Sequence, residues 1–149
     1  MSKPLIHAKS SAKHFGGKQE DYIEIHSFID SSKGTVACSR HRVLTHTSWF
    51  LSNILERIKF ANSCPPTPDN RFPFVINSDN REISVRDIGE QHILEDFGGK
   101  FIPSFQDYVE SMEIKDWMIN GGGIPPSYAK IHKKNLERGE TRKKLIKFD

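Results

Sequence analysis

The sequence predicts a mainly α-helical domain of the α+β kind, with one inserted β-hairpin and a flexible basic C-terminal tail. Apolar residues recur at three- and four-residue spacing through residues 21–33 and again through 35–60. "FPFVIN" and "REISVR" alternate around "SDN", which is the pattern and turn chemistry of a short hairpin. Beyond "GGGIPP" (121–126), Lys130, Lys133, Lys134, Arg138, Arg142, Lys143, Lys144 and Lys147 face only Glu137, Glu140 and Asp149. That end is strongly basic, while the whole chain carries a net charge of only +3.

"DYIEIHSFIDSSK" (21–33) places Tyr22, Ile25, His26 and Ile29 on one helical stripe, so His26 should point inward, and Gly34 ends the helix. A longer helix is expected over 35–60, where Val36, Val43 and Phe50 are heptad-spaced, as are Ala37, Leu44, Leu51 and Ile58. His41 falls inside that apolar face, and His46 borders it. "CPPTPDN" (64–70) holds three prolines and reads as a loop. After the hairpin a helix spans about 84–97, with Ser84 or Asp87 as N-cap and Gly98 and Gly99 as its stop. A last helix near 104–112 starts from Ser104, and Trp117 is expected to tuck back against the core. "HFGGK" (14–18) is a glycine turn that either cradles a phosphate or simply connects.

A chain of 149 residues suits one compact domain, which at this size buries roughly two thirds of its surface. The expected division is a helical domain over 1–120 and a linker with basic tail over 121–149. No stretch approaches the ~20 apolar residues of a membrane span, and no secretory h-region is visible, so a cytoplasmic protein without membrane contact is expected. Cys38 and Cys64 lack both CxxC spacing and the density of a disulfide framework. GxxxxGK[ST], GxGxxG after a strand, HExxH, GxSxG and an adjacent His–Asp dyad are all missing.

What remains is a constellation of histidines and carboxylates. Six of the seven histidines lie at or before residue 92, and His26, His41 and His92 fall on apolar helical faces. Asp30 follows His26 by one turn and Asp96 follows His92 by one turn, so each pair shares a face. Two readings stay open. The pairs are ordinary hydrogen bonds within a polar core, or the three imidazoles with Asp30 and Asp96 bind a divalent metal ion. Imidazole and carboxylate donors without thiolate suit zinc, manganese, iron or nickel.

With an open coordination position such an ion would acidify water for attack on a phosphoester in a nucleotide or nucleic acid, with Glu90 or Glu95, or else Asp96, as general base. Arg42 and His46, one turn apart, form the polar edge expected at the mouth of the site. Lys33 and Arg86 lie close in sequence to the proposed ligands and would help clamp a phosphate; the plain alternative is surface ion pairing. A rival of another class is a non-catalytic binding protein that captures a nucleotide, a nucleic acid or a host protein with its polar pocket and basic tail. Composition does not decide whether the chain is an enzyme.

The strings "HAKSSAKHFGGKQEDYIEIHSFIDSSK", "RHRVLTHTSWF" and "INSDNREISVRDIGEQHILEDFGG", with "IPSFQDYV" and "WM", resemble an uncharacterised family of small proteins from bacteria and their phages. Its motifs HxxxDxSK, RHRxxxH and GEQHxxED stand here in order, and the resemblance spans about residues 7–118. It implies a domain of unknown function, so it adds no chemistry to the reading of the residues. A phage origin would place the protein in the host cytoplasm. Members similar to this chain carry a double histidine where it has His46 and Thr47, and a glycine where the hairpin turn has Asn80. The insertion around "CPPTPDN" and the basic tail are peculiar to this chain.

Overall fold

The computed structural model describes residues 3–69, 72–119, 125, 126, 128 and 133–139. It divides into two compact units, Met1–Ser111 and Met112–Asp149. The first is mainly α-helical with a small antiparallel sheet, and it holds every side chain discussed as a site below. No helix among the described residues is long and apolar enough to cross a membrane.

Helix α1 (Pro4–Phe15) starts on a proline, whose missing N–H costs nothing in the first turn. It stops at Gly16, where φ is 85°. Its buried stripe is His7, Ala8 and Ser11, too polar to register as an apolar period, and the sequence reading therefore assigns no helix there. The "HFGGK" turn that follows is a connection. The Gly17 N–H donates to Asp79 and the Lys18 N–H to Asp21, so its amides are already engaged by carboxylates.

Helix α2 (Ile23–Asp30) matches the expected stripe, flanked by 3-10 turns at Gln19–Asp21 and Ser31–Gly34. The long helix expected over 35–60 does not form. In its place stand a 3-10 turn (Ser39–His41), α3 (Arg42–Thr45), α4 (Ser48–Asn53) and a further 3-10 turn (Leu55–Arg57). The break is at His46, with φ −109° and ψ 55°, followed by extended Thr47, whose hydroxyl accepts the Phe50 N–H at 3.0 Å and caps α4. A strong N-cap in mid-pattern outweighs a heptad repeat that continues across it. The heptad face is lost with it: Leu44 is 46% exposed, whereas Thr45, His46 and Thr47 are buried.

Strands β1 (Ser63–Cys64), β2 (Phe74–Ile76) and β3 (Glu82–Ser84) form an antiparallel sheet in that order, with Val75 opposite Ile83. The expected hairpin is β2–β3, and β1 adds a strand that includes Cys64, the first residue of the expected loop. Asn80, at φ 60°, occupies the left-handed turn position where asparagine is tolerated and glycine is easiest.

Helix α5 (Val85–Asp96) follows directly. The Ser84 hydroxyl accepts the Arg86 N–H, and Gly98 and Gly99, at φ 65° and 73°, return their N–H groups to Glu95 and Leu94. Helix α6 (Phe105–Glu110) begins with the reciprocal Ser104–Asp107 capping box. Tyr22, Ile25, Ile29, Leu51, Leu55, Ile88 and Ile93 form the centre of the core. In the second unit Trp117, expected in the core, sits on a 3-10 turn and is 38% exposed. Residues 133–139 of the basic extension are helical and exposed. The glycines of the proposed linker at 121–123 lie outside the described residues.

Gly89 sets how closely α5 approaches the 48–57 segment. A Cβ there would stand 2.5 Å from a Leu55 methyl and 2.6 Å from a Leu51 methyl. Gly89→Ala gains about 1 kcal/mol of helix propensity and costs about 1–3 kcal/mol in overpacking. The expected net result is a lower Tm by differential scanning fluorimetry; a raised Tm would show that α5 does not pack this tightly.

Candidate metal centre

Three helices each bring a polar pair at i, i+4 to one place beside the apolar core: His7 and Ser11 from α1, His26 and Asp30 from α2, His92 and Asp96 from α5. This spacing stacks the two side chains of a pair on one face, and on α2 and α5 the pair runs beside the core-facing Ile25, Ile29, Ile88 and Ile93. The break between α3 and α4 supplies His46, whose carbonyl accepts the Tyr108 hydroxyl at 3.4 Å. Five imidazoles, those of His7, His26, His41, His46 and His92, are at most 1% exposed.

They converge. His92 is stacked on His7 with ring centres 4.0 Å apart, and lies 5.1 Å from both His26 and His46, while His41 meets His46 edge-on at 5.2 Å. The His46 Nε2 is 3.1 Å from Asp96 Oδ2 and 4.0 Å from Asp30 Oδ1, and the His92 Nε2 is 3.6 Å from the same Asp30 oxygen. One donor atom from each of Asp30, His46, His92 and Asp96 lies within 4.8 Å of the other three, and this group could hold a metal ion. Donors around a tetrahedral ion with bonds of ~2.0–2.1 Å are about 3.4 Å apart, so small side-chain rotations would close the site.

Around these four the other histidines are tied back. His26 meets Ser11 through Nε2 at 2.8 Å and His92 through Nδ1 at 2.9 Å. His7 donates from Nδ1 to Glu95 at 2.6 Å, with Nε2 3.4 Å from Asp96 Oδ1. A chain of hydroxyls runs from His46 Nδ1 through Thr45 (2.9 Å) and Ser32 (2.8 Å) to His41 Nδ1 (2.8 Å). Yet among the described residues several buried atoms of the cluster form no hydrogen bond: His7 Nε2, both oxygens of Asp30, His41 Nε2, Arg42 Nε and His92 Nε2. The Lys33 ammonium is 2.7 Å from Asp30 Oδ1 and neutralises its charge.

The electrostatics keep most rings neutral and both aspartates charged. Burial, together with the neighbouring His92 and His7, pushes His26 down to about 2. Burial also lowers His92 to about 4, against the pull of Asp30, and lowers His41. For the aspartates burial acts upward and is overcome. The nearby His92 ring and the Lys33 ammonium hold Asp30 at about 2, and His46, His7 and Arg42 hold Asp96 well below the usual carboxylate range. His7 is raised because Asp96 and Glu95 outweigh its burial.

Of the residues singled out in the sequence, Asp30, His92 and Asp96 supply atoms of the four-residue group. His26 and His41 lie beside it, each bonded elsewhere. His46, expected at the mouth, is inside. Arg42 reaches Asp96 Oδ2 at 3.3 Å and lies 5.0 Å over the Phe97 ring. Lys33 stands on Asp30. Arg86 and Glu90 are elsewhere on α5, where Arg86 bonds Glu90 at 2.9 Å and Glu56 at 3.3 Å. Glu95 contacts the cluster only through His7, while also accepting from Ser10 and Gln91. His7, Ser11, Ser32, Thr45 and Gln91 went unnoticed in the sequence. The signal for the first two was the His7, Ser11 spacing, the same i, i+4 step as in the two pairs that were read.

Because His26 and His92 stay neutral in the fold, the unfolded chain binds more protons below the ordinary histidine value of 6.5. Stability of the metal-free protein should therefore fall as pH drops through 6.5 toward 4. His7, raised instead, works the opposite way, stabilising below 6.5 and fading above. Three lowered rings, His41 included, against one raised predict a lower Tm at about pH 5 than at about pH 7 in chelator. An unchanged or higher Tm would contradict burial of neutral imidazoles.

Comparison with known proteins adds membership without chemistry. No curated protein and no solved structure matches the chain significantly. A family model does match, over residues 2–64 and 69–118. It passes over the proline-rich 65–68 and ends before the basic extension. The chain belongs to the family described as Domain of unknown function (DUF6915).

Proposed function

We propose that the protein is a divalent-metal-binding domain whose ion is held by Asp30, His46, His92 and Asp96, and that the loaded centre hydrolyses a phosphoester in a nucleotide or nucleic acid. The observation that supports the metal is the set of buried, unpaired polar atoms around one point. Each unpaired buried polar group costs about 1–3 kcal/mol, so the five side chains that carry such atoms would rival the ~5–15 kcal/mol by which a domain is stable. A cation held by these ligands answers the innermost of them, His92 Nε2 and the Asp30 carboxylate.

Two imidazoles and two carboxylates suit manganese, iron, nickel or zinc. Zinc would be saturated by four protein ligands, whereas a six-coordinate ion keeps room for water and a substrate oxygen. Hydrolysis therefore favours manganese, iron or nickel. The ligand side chains are at most 4% exposed, while Lys33 and Arg42, each on one liganding carboxylate, are 26% and 19% exposed. They form the accessible rim, where a phosphate would meet an ammonium and a guanidinium. His7, backed by Glu95 and next to Asp96, is the best-placed acceptor for a proton from bound water; Glu95 acts through it. The near-complete burial of the ligands supports a second reading, a purely structural ion.

Elemental analysis of tag-free protein should give about one divalent transition ion per chain, reduced at least tenfold in His92→Ala and Asp96→Asn. Protein that is metal-free and indifferent to chelator would overturn the proposal. Turnover of bis(p-nitrophenyl) phosphate by the loaded protein, lost in Arg42→Met with metal retained, separates hydrolysis from a structural ion. Metal without turnover leaves the structural reading.

A further inference from the structure

A directed run of hydrogen bonds leads from the surface into the cluster, and its direction can be worked out from the groups that make it. Glu95 is a carboxylate and can only accept. Gln91 Nε2 donates to Glu95 Oε1 at 2.6 Å, which fixes the amide so that its oxygen faces Ser11. The single Ser11 hydroxyl hydrogen goes to that oxygen, so Ser11 Oγ must accept from the ring 2.8 Å away, His26 Nε2. A neutral imidazole carries one N–H. His26 Nδ1 is then bare, and the 2.9 Å contact to His92 Nδ1 requires the hydrogen on His92. His92, neutral in turn, has a bare Nε2.

That bare nitrogen faces Asp30 Oδ1 at 3.6 Å and forms no hydrogen bond. A lone pair directed at a carboxylate is repulsive unless a cation or a hydrogen-bond donor lies between them. The opposite direction along the chain would put Gln91 Oε1 against the Glu95 carboxylate, which is why Glu95 decides the sense.

We propose that Gln91, Ser11 and His26 are positioning residues that lock His92 in the Nδ1–H tautomer and so present its Nε2 as a metal ligand. A metal-bound histidine generally has its other ring nitrogen held by a hydrogen-bond acceptor. Here the acceptor is another imidazole, itself oriented from the surface. The consequence for metal affinity rests on the metal reading above; the tautomer does not.

Long-range proton–nitrogen NMR of metal-free protein measures the tautomer directly. The His92 Nε2 should show the shift of an unprotonated ring nitrogen and Nδ1 that of a protonated one. Ser11→Ala and Gln91→Met should remove this preference and weaken manganese or zinc binding by ~10–100-fold, at a metal-free Tm close to the parent's. An Nε2–H tautomer in the parent overturns the proposal, as does an unchanged tautomer in Ser11→Ala. A parent that binds no metal yet shows bare Nε2 upholds the lock and overturns only the metal reading.

Discussion

Five imidazoles and two carboxylates share one buried volume in this domain, and in that volume each needs a partner of the right polarity. Water solvates such groups at the surface; inside, only hydrogen bonds and counter-charges do. The molecule meets most of the demand with Ser11, Ser32, Thr45 and Glu95 on the outer nitrogens, and with Lys33 and Arg42 on the carboxylates. The inner atoms, His92 Nε2 and the oxygens of Asp30 above all, are left facing one another. A divalent ion satisfies bare imidazole nitrogens and carboxylates at once, and this constraint gives the remaining features a common purpose.

The apolar core serves the polar cluster by holding α2 and α5 in register. Ile25 and Ile29 stand beside His26 and Asp30, and Ile88 and Ile93 beside His92 and Asp96, so each helix has an apolar and a polar strip side by side. Gly89 lets α5 settle against Leu51 and Leu55. The chain break after α3 turns His46 inward, and Tyr108 holds the carbonyl that the break exposes. A polar cluster of this kind stabilises less than an apolar core of equal volume. Its retention in a small domain is therefore better explained by function than by folding.

The sequence carried much of this, unevenly. The i, i+4 pairs His26–Asp30 and His92–Asp96 could be read because helical period alone places both members on one face. The caps of α5 and α6 and the hairpin turn could be read because serine, glycine and asparagine declare themselves locally. His46 was misplaced because a heptad repeat was carried through Thr47, whose capping bond wins locally over apolar spacing. Helix α1 was missed because its buried face is His7, Ala8 and Ser11, and a period rule counts only apolar residues. The Arg86–Glu56 pair was out of reach, since it depends on tertiary placement. Likewise, which imidazoles face the centre and which are tied back depends on hydrogen-bond partners contributed by other helices.

The central claim is that one ion sits among Asp30, His46, His92 and Asp96, and anomalous diffraction from crystals of metal-loaded protein tests it most directly. The account predicts a single anomalous peak bonded to the Nε2 atoms of His46 and His92 and to a carboxylate oxygen from each aspartate, at about 2.0–2.2 Å. Loaded crystals with no peak there, or with a peak only on surface histidines such as His14, would contradict it.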